Sequence, residues 1–336
     1  MQYDVLILSD GRPGHYRQSE GVAAAISRHH PVAVRWIEIN NRWRLPKALI
    51  PKLARRLSPR AALRHLHAID PETLHPPALI VSAGGLTLGA NVALAHLLGS
   101  PNVFCGATRH FPLDAFSLVL TDDPSQAGPP NVCIAPKPAT FDPDTLPTPA
   151  ASLAKPDLHI GVLVGGPTET SDFGPADWSG LMKLIEALMS ETEATVTLAT
   201  SPRTPDVAYQ AITKTAAAFT RQFNLIDFRT AGPGSLGPAL GADLLVVTAD
   251  SMTMMTEAAL SRRPAIALRP ARTTPTRDEA AMAWLVAEKW LAVCDIANLA
   301  ADTLLKEASA LQPMTENHLD RLSRSVLPLL KHRSVS

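Results

Sequence analysis

The sequence predicts an α/β protein of two domains, each a parallel sheet with helices packed on its faces. Three observations carry that expectation. Short runs rich in Val, Ile and Leu recur along all 336 residues. Most are continuous rather than alternating, as in strands buried on both faces. Helix-like stretches separate these runs, so strand and helix alternate as they do around a parallel sheet. The alternation breaks once, in the proline-rich "AKPATFDPDTLPTPAASLAKPD", which reads as a linker over 136–156. The break gives an expected N-terminal domain at 1–150, a second domain at 151–312 and a closing segment at 313–336. Two such domains facing across a cleft would bring the carboxyl ends of their strands, where α/β proteins bind ligands, to the seam.

In the first domain the expected strands are Tyr3–Leu8, Leu79–Ser82, Val103–Cys105, Leu118–Thr121 and Val132–Ala135. Helices are expected over Gln18–Arg28 and Thr87–Leu98. In the second domain the expected strands are His159–Val164, Thr195–Ala199, Asn224–Phe228, Leu244–Thr248, Ala265–Leu268 and Trp290–Cys294. Between them the helical stretches are Ala176–Ser190, Asp206–Arg221, Met252–Arg262 and Asp278–Lys289. Two further helices, Leu299–Leu311 and Glu316–Lys331, follow the last strand.

Composition narrows the class. The 31 basic residues balance 31 acidic ones, so net charge gives no reason to expect a nucleic-acid partner. No apolar run approaches the ~18 residues of a membrane span. The chain opens on a strand that Asp4 interrupts, with no leader-like apolar core, and a cytoplasmic protein is expected. Cys105, Cys133 and Cys294 lie in or beside apolar runs without a CxxC pair, and are expected as buried free thiols.

Chemistry concentrates at the strand ends. "SDGRPGHYRQSEG" (Ser9–Gly21) crowds Gly11, Gly14, Pro13, Arg12 and His15 between a strand and a helix. That is more backbone freedom and more positive charge than a turn requires. Gly11 and Gly14 are expected to expose backbone N–H groups in a sharp turn. His15 is expected at the start of the Gln18 helix, whose positive end would favour a neutral imidazole able to act as a base. In the second domain, "VLVGGPTETSDF" places Gly165, Gly166 and Thr168 after one strand. "LATSPRTPD" places Ser201, Arg203 and Thr204 after the next, and "LVVTADSMTMMTEAAL" places Asp250, Ser251, Met252 and Glu257 at the mouth of a helix. Helix starts and glycine turns attract phosphate. One terminus contributes only about 0.3–1 kcal/mol per charge, so several loops must converge to hold a nucleotide. Ser, Thr and Asp at these places also serve as ordinary helix caps.

Other patterns fail. "GPGSLG" (Gly232–Gly237) fits GxGxxG but contains Pro233 and leaves no room for a crossover helix before the next strand. "DPD" (Asp142–Asp144) falls in the linker, Asp122 and Asp123 point apart if extended, and His65 and His67 read as helix surface. No metal and no cofactor are expected.

The combination of Asp10-Gly-Arg-Pro-Gly-His15 with Gln18, Gly165-Gly-Pro167, Arg203-Thr-Pro205, and Thr248-Ala-Asp-Ser-Met252 with Glu257 and Ala258 resembles the mitochondrial-fission ELM (elongated-mitochondria) family. Bacterial members of that family are assigned as glycosyltransferases. This chain has Pro202-Arg203 where the family has a basic pair before Thr-Pro. The resemblance implies a glycosyltransferase-B architecture of two Rossmann-like domains, with the acceptor site in the first and the nucleotide-sugar site in the second. It implies an acceptor or phosphate loop at Asp10, Gly11, Arg12, Gly14 and Gln18, with His15 near the acceptor, and a last helix, Glu316–Lys331, crossing back onto the first domain. The function expected is metal-independent transfer of a sugar from a nucleotide sugar, a UDP-sugar first, to a hydroxyl acceptor, lipid-linked or part of an envelope glycan. Two alternatives stand beside it: a nucleotide-sugar epimerase of similar fold, and a non-enzymatic membrane-division factor.

One further stretch stands apart. From Arg42 to Arg64 eight Lys and Arg residues occur with no Asp or Glu, interleaved with Trp43, Leu45, Leu49, Ile50, Leu53 and Leu57. Such a composition suits contact with an anionic membrane surface; a solvated helix pair packing its apolar side inward has the same pattern.

Overall fold

The structure is a computed structural model that describes residues 2–40, 49–109, 111–154, 157–232, 235–275, 278–297 and 299–330. The chain divides into two compact units, Met1–Phe141 with His318–Ser336, and Asp142–Asn317.

In the first unit the described strands are β1 (Tyr3–Ser9), β2 (Val32–Glu38), β3 (Leu79–Ala83), β4 (Asn102–Cys105), β5 (Leu118–Thr121) and β6 (Val132–Ile134). They pair in parallel in the order β2-β1-β3-β4-β5-β6. The helices are α1 (Pro13–Ser27), the short α2 (Leu49–Ala54) and α3 (Pro59–Ala61), and α4 (Leu88–Leu98). The unbroken apolar run of β1 has a direct cause. Val5 and Ile7 join the layer beneath α1, while Leu6 and Leu8 join the opposite layer with Ala90, Ala93 and Leu94 of α4. All four are 1% exposed or less, and each such burial is worth about 1.5–3 kcal/mol.

In the second unit the strands are β7 (His159–Leu163), β8 (Ser171–Asp172), β9 (Thr195–Ala199), β10 (Phe223–Ile226), β11 (Leu244–Thr248), β12 (Ala265–Arg269), β13 (Arg272–Thr273) and β14 (Ala292–Asp295). Six of them form a parallel sheet, β10-β9-β7-β11-β12-β14, and β8 pairs antiparallel with β13 as a small ribbon. The helices are α5 (Pro175–Thr192), α6 (Asp206–Ala218), α7 (Gly237–Leu240), α8 (Met252–Leu260), α9 (Glu279–Ala287) and α10 (Ala301–Ser309). A last helix, α11 (His318–Val326), belongs to the first unit. There its Leu319, Leu322 and Val326 join the α1 layer, and Asp320 accepts from Arg28 at 2.6 Å.

Several expectations need correction. The strand β2 was not expected from the sequence. It is an edge strand whose outer face exposes Val34 and Trp36 (40% and 46%) together with Glu38, and Arg35 interrupts its apolar run. Helix α1 begins at Pro13, five residues before Gln18, with Arg12 as its N-cap. Its first turn therefore already contains Gly14 and His15. Gly11 takes the left-handed backbone (φ 75°) that only glycine adopts cheaply, whereas Gly14 sits in the helix with nothing near it, so the turn needs the first glycine and not the second. His67 is not surface. It ends a π-helical turn (Ala62–His67), is 2% exposed, and neither ring nitrogen has a hydrogen-bond partner among the described residues. Of the three free thiols only Cys105 is fully buried, which pushes it up to about 12; Cys133 and Cys294 are half-buried.

Candidate functional site

Sheet topology fixes where each unit presents its chemistry. Counted in order of appearance, the second sheet runs 3-2-1-4-5-6, the order of the dinucleotide-binding Rossmann sheet. The chain leaves β7 in one direction and returns on its other side as β11, so the loops after these two strands part at their carboxyl ends and open a crevice. The first sheet reverses in the same way between β1 and β3.

At the β7/β11 point the structure brings together most of the loop residues singled out in the second half. Gly165 N–H donates to Thr248 Oγ1 at 2.8 Å, and Gly166 N–H donates to Asp250 Oδ2 at 3.2 Å. The Arg203 guanidinium pairs with the same carboxylate oxygen. Thr204 accepts from Ser201 N–H at 2.9 Å, and its hydroxyl reaches the carbonyls of Val164 and Gly165 at 3.0 Å. Ser251 caps α8, accepting from Met254 N–H at 3.4 Å. This leaves the N–H groups of Met252 and Thr253 as the helix-start donors without an intrahelical partner. The two glycines serve close packing. A β-carbon on Gly165 would fall 2.1 Å from Asp250 Oδ2, and one on Gly166 would fall 1.9 Å from the Arg203 carbonyl oxygen. Their N–H groups are hydrogen-bonded to Thr248 and Asp250, and the donors left over belong to the start of α8.

Asp250 holds the centre of this arrangement. Its side chain is fully buried, and Oδ1 has no partner among the described residues. Asp250 and Met252 also line a cavity of about 640 Å³. The cavity runs along the carboxyl ends of β11, β12 and β14, walled by Met255 of α8 and Met282 of α9 and closed by Thr273 of the β8–β13 ribbon. Arg269 and Asp295, paired at 3.0 Å, sit on its floor. Sequence reading missed this half of the site, because Arg269 and Asp295 lie on strand ends without glycine or a motif. Thr168 closes a tight turn instead, accepting from Ser171 N–H at 3.0 Å. Glu257 is half-buried on α8, beyond the cavity lining.

At the β1/β3 point the first unit holds a carboxylate–imidazole pair. The Asp10 side chain is 5% exposed and accepts from His15 Nδ1 at 2.9 Å. Burial of Asp10 favours its neutral form, but the hydrogen bond and charge of His15, the Arg12 N–H and the Arg12 guanidinium outweigh it, and the carboxyl is held below its usual range. With an ionised acceptor on Nδ1, the neutral imidazole carries its proton there and leaves the Nε2 lone pair available. Gln18 takes no part in the pair; its amide donates to the Gly14 carbonyl at 2.6 Å. Gly84, which sequence reading also missed, makes room for the ring: a β-carbon there would lie 2.2 Å from His15 Nδ1. Among the described residues no group of three or more His, Cys, Asp or Glu is placed to hold a metal ion.

Residues 13–324 match the family described as Mitochondrial fission ELM1. The chain belongs to this family. The match spans every strand except β1 and takes in His15 and the second unit's loops. Among solved structures, this ELM1-family chain is similar to Staphylococcus aureus MnaA in complex with UDP (13% identity, TM-score 0.52, covering 96% of this chain and 91% of that one). It is similar to MurG of Acinetobacter baumannii (14% identity, TM-score 0.51, 98% and 95%). It is also similar to the UDP-GlcNAc 2-epimerase of Neisseria meningitidis bound to UDP-GlcNAc (11% identity, TM-score 0.50, 98% and 99%). At these identities the likeness is one of fold, two Rossmann-like α/β domains of the glycosyltransferase-B type. No curated protein matches the chain by sequence.

Proposed function

We propose that the chain is a metal-independent glycosyltransferase that moves a sugar from a nucleotide sugar, a UDP-sugar first, to a hydroxyl acceptor. The observation that carries this reading is the Asp10–His15 pair at the carboxyl edge of the first sheet, which leaves Nε2 available as a base. In the step proposed, the acceptor oxygen bonds to the anomeric carbon as the bond from that carbon to the diphosphate oxygen breaks. The hydroxyl proton goes to His15 Nε2, and the electron pair leaves with the nucleoside diphosphate. The second unit's contribution is the start of α8 with Ser251 and Arg203 for the diphosphate, Glu257 for the ribose, and the cavity beside Met252 for the rest of the donor. The bound UDP and UDP-GlcNAc named for two proteins of like fold support a uridine nucleotide.

The fold is shared with epimerases, which supports a second reading in which the sugar is inverted without an acceptor. One experiment separates the two. The purified protein is incubated with UDP-sugars, with and without hydroxyl acceptors, and free UDP and sugar products are measured. Transfer requires UDP to accumulate only when acceptor is present. A changed sugar on an intact nucleotide identifies the epimerase, and failure to bind any nucleotide points to the non-enzymatic membrane-division role.

The acceptor we favour is lipid-linked, with the first unit resting on an anionic membrane. Of the basic stretch, Arg42, Trp43, Arg44, Leu45 and Lys47 lie outside the described residues. Arg60 and Arg64 pair with Glu72 and Asp70, which spends part of the charge. Leu49 and Leu57 are exposed, and Lys52, Arg55 and Arg56 have no acidic partner among the described residues. No helix among the described residues is long and apolar enough to cross a membrane. Co-sedimentation with vesicles should require anionic lipid and decline with salt; indifference to lipid charge would sink this part of the reading.

A further inference from the structure

The crevice of the first unit contains more than the Asp10–His15 pair. The loop after β3 opens with Gly84-Gly85, and the loop after β4 contains Gly106 and Arg109. A β-carbon on Gly84 would meet the His15 ring at 2.2 Å, and one on Gly85 would meet the Arg109 guanidinium carbon at 2.9 Å. Imidazole and guanidinium thus lie against adjacent bare backbone units, whose Cα atoms are ~3.8 Å apart. Arg12, the α1 N-cap, is three residues before His15, and its charge reaches Asp10, the carboxylate that His15 pairs with. Arg12 and Arg109 are both exposed, and neither forms an ion pair among the described residues. Of the nearby acids, Asp10 is engaged by His15, and Glu38 flanks Gly11, its Oε1 4.0 Å from where a β-carbon on that glycine would be.

Two exposed guanidiniums without an ion pair among the described residues, beside a candidate base where a sheet of this topology receives its ligand, are placed to grip an anion near the reacting group. We propose that this is the acceptor site, and that the acceptor bears an anionic group, phosphate or carboxylate, next to the hydroxyl presented to His15 Nε2. Arg109 and Arg12 hold the anion, and Gly85 is glycine because the Arg109 head needs that space. This rests on the transferase reading for the word acceptor, while the anion site stands on the first unit alone.

The test reads the His15 ring directly. Protein labelled at histidine is titrated at fixed pH with inorganic phosphate and, separately, with acetate, with and without saturating UDP. The His15 carbon–proton signal is identified by its loss in His15→Gln. At least one anion should shift that signal saturably, and the stronger of the two tells phosphate from carboxylate. Arg109→Gln and Arg12→Gln should each weaken binding by about tenfold. Gly85→Ala, whose new β-carbon meets only the movable end of Arg109, should do the same while the protein stays folded. No shift with either anion, or an unchanged affinity in the Arg12→Gln/Arg109→Gln double variant, overturns the proposal. Anion binding at His15 without any UDP binding supports the site and removes the transferase reading. UDP binding without an anion response at His15 does the reverse.

Discussion

Replacing Asp10 by Asn keeps the volume of a nearly buried side chain and removes its charge. The wild-type carboxylate accepts from His15 Nδ1 at 2.9 and 3.1 Å and from Arg12 N–H at 3.3 Å. The amide oxygen can keep the Arg12 contact, so the loss is the one charge-assisted bond to His15, about 1.5–3 kcal/mol of stability. The larger effect is on the proton. An amide can turn its NH₂ toward Nδ1, which makes Nδ1 the acceptor and moves the ring proton to Nε2. A general base contributes about 10²–10⁴ in rate, so turnover should fall by that factor, equivalent to about 2.7–5.5 kcal/mol of barrier. Nitrogen NMR of the histidine-labelled protein should show the tautomer change, and calorimetry should show UDP affinity unaltered. Acid stability adds a signed check. Because the Asp10 carboxyl is held below its usual range, its contribution is present above the ordinary carboxylate pKa of about 4 and is lost as pH falls through the folded value. Asp10→Asn should lack that loss. A protonated Nδ1 and near-normal turnover in Asp10→Asn would show that the Asp10 charge does not set the His15 proton and that His15 Nε2 is not the base.

Three other outcomes follow from the same geometry. Ser251→Ala removes the α8 cap, costing about 1 kcal/mol of stability, and should weaken UDP more than uridine; Glu257→Ala should weaken both, and calorimetry with the two ligands compares them. Gly166→Ala drives a β-carbon into the Arg203 backbone at 1.9 Å and should cost about 3 kcal/mol, whereas Gly14→Ala meets nothing and should be neutral or up to about 1 kcal/mol stabilising; thermal denaturation ranks them. Burial holds His67 down to about 4, so the unfolded chain takes up its proton first and stability should decline as pH drops from 6.5 toward 4. The loss approaches about 3 kcal/mol, and His67→Leu should flatten that stretch of the pH–stability curve.

How much of this was legible beforehand depended on where each residue's neighbours came from. Eleven of the twelve strands of the two large sheets announce themselves: the inner ones are buried on both faces and so are continuously apolar, and the half-buried edge strands β6, β10 and β14 still read as short apolar runs. The edge strand β2 escaped because half-buried Arg35 breaks its apolar run and its outer face, Val34, Trp36 and Glu38, is exposed. The β-branched and aromatic residues of "VAVRWIE" were the signal to use. The loops at Asp10–His15, Gly165–Gly166 and Asp250–Ser251 stood out through glycine, charge and hydroxyls. Gly84, Gly85 and Arg109 obey the same rule, in "SAGGLT" and "CGATRH" after β3 and β4, and were open to the same reading. What local sequence does not disclose is strand order. Nothing near Gly165 indicates that Asp250, across a reversed connection, occupies the space its side chain would need. His67 looked like surface for a related reason, since only tertiary packing beside α4 puts its ring under cover.

Hydrogen exchange on the intact protein, with and without UDP, decides whether the β7/β11 crevice receives a nucleoside diphosphate, as proposed. Slowed exchange is expected in peptides spanning 201–204 and 249–257, and unchanged exchange over 9–18 in the first unit. Unaltered exchange at the second unit's loops, or protection confined to the first unit, would contradict the proposal.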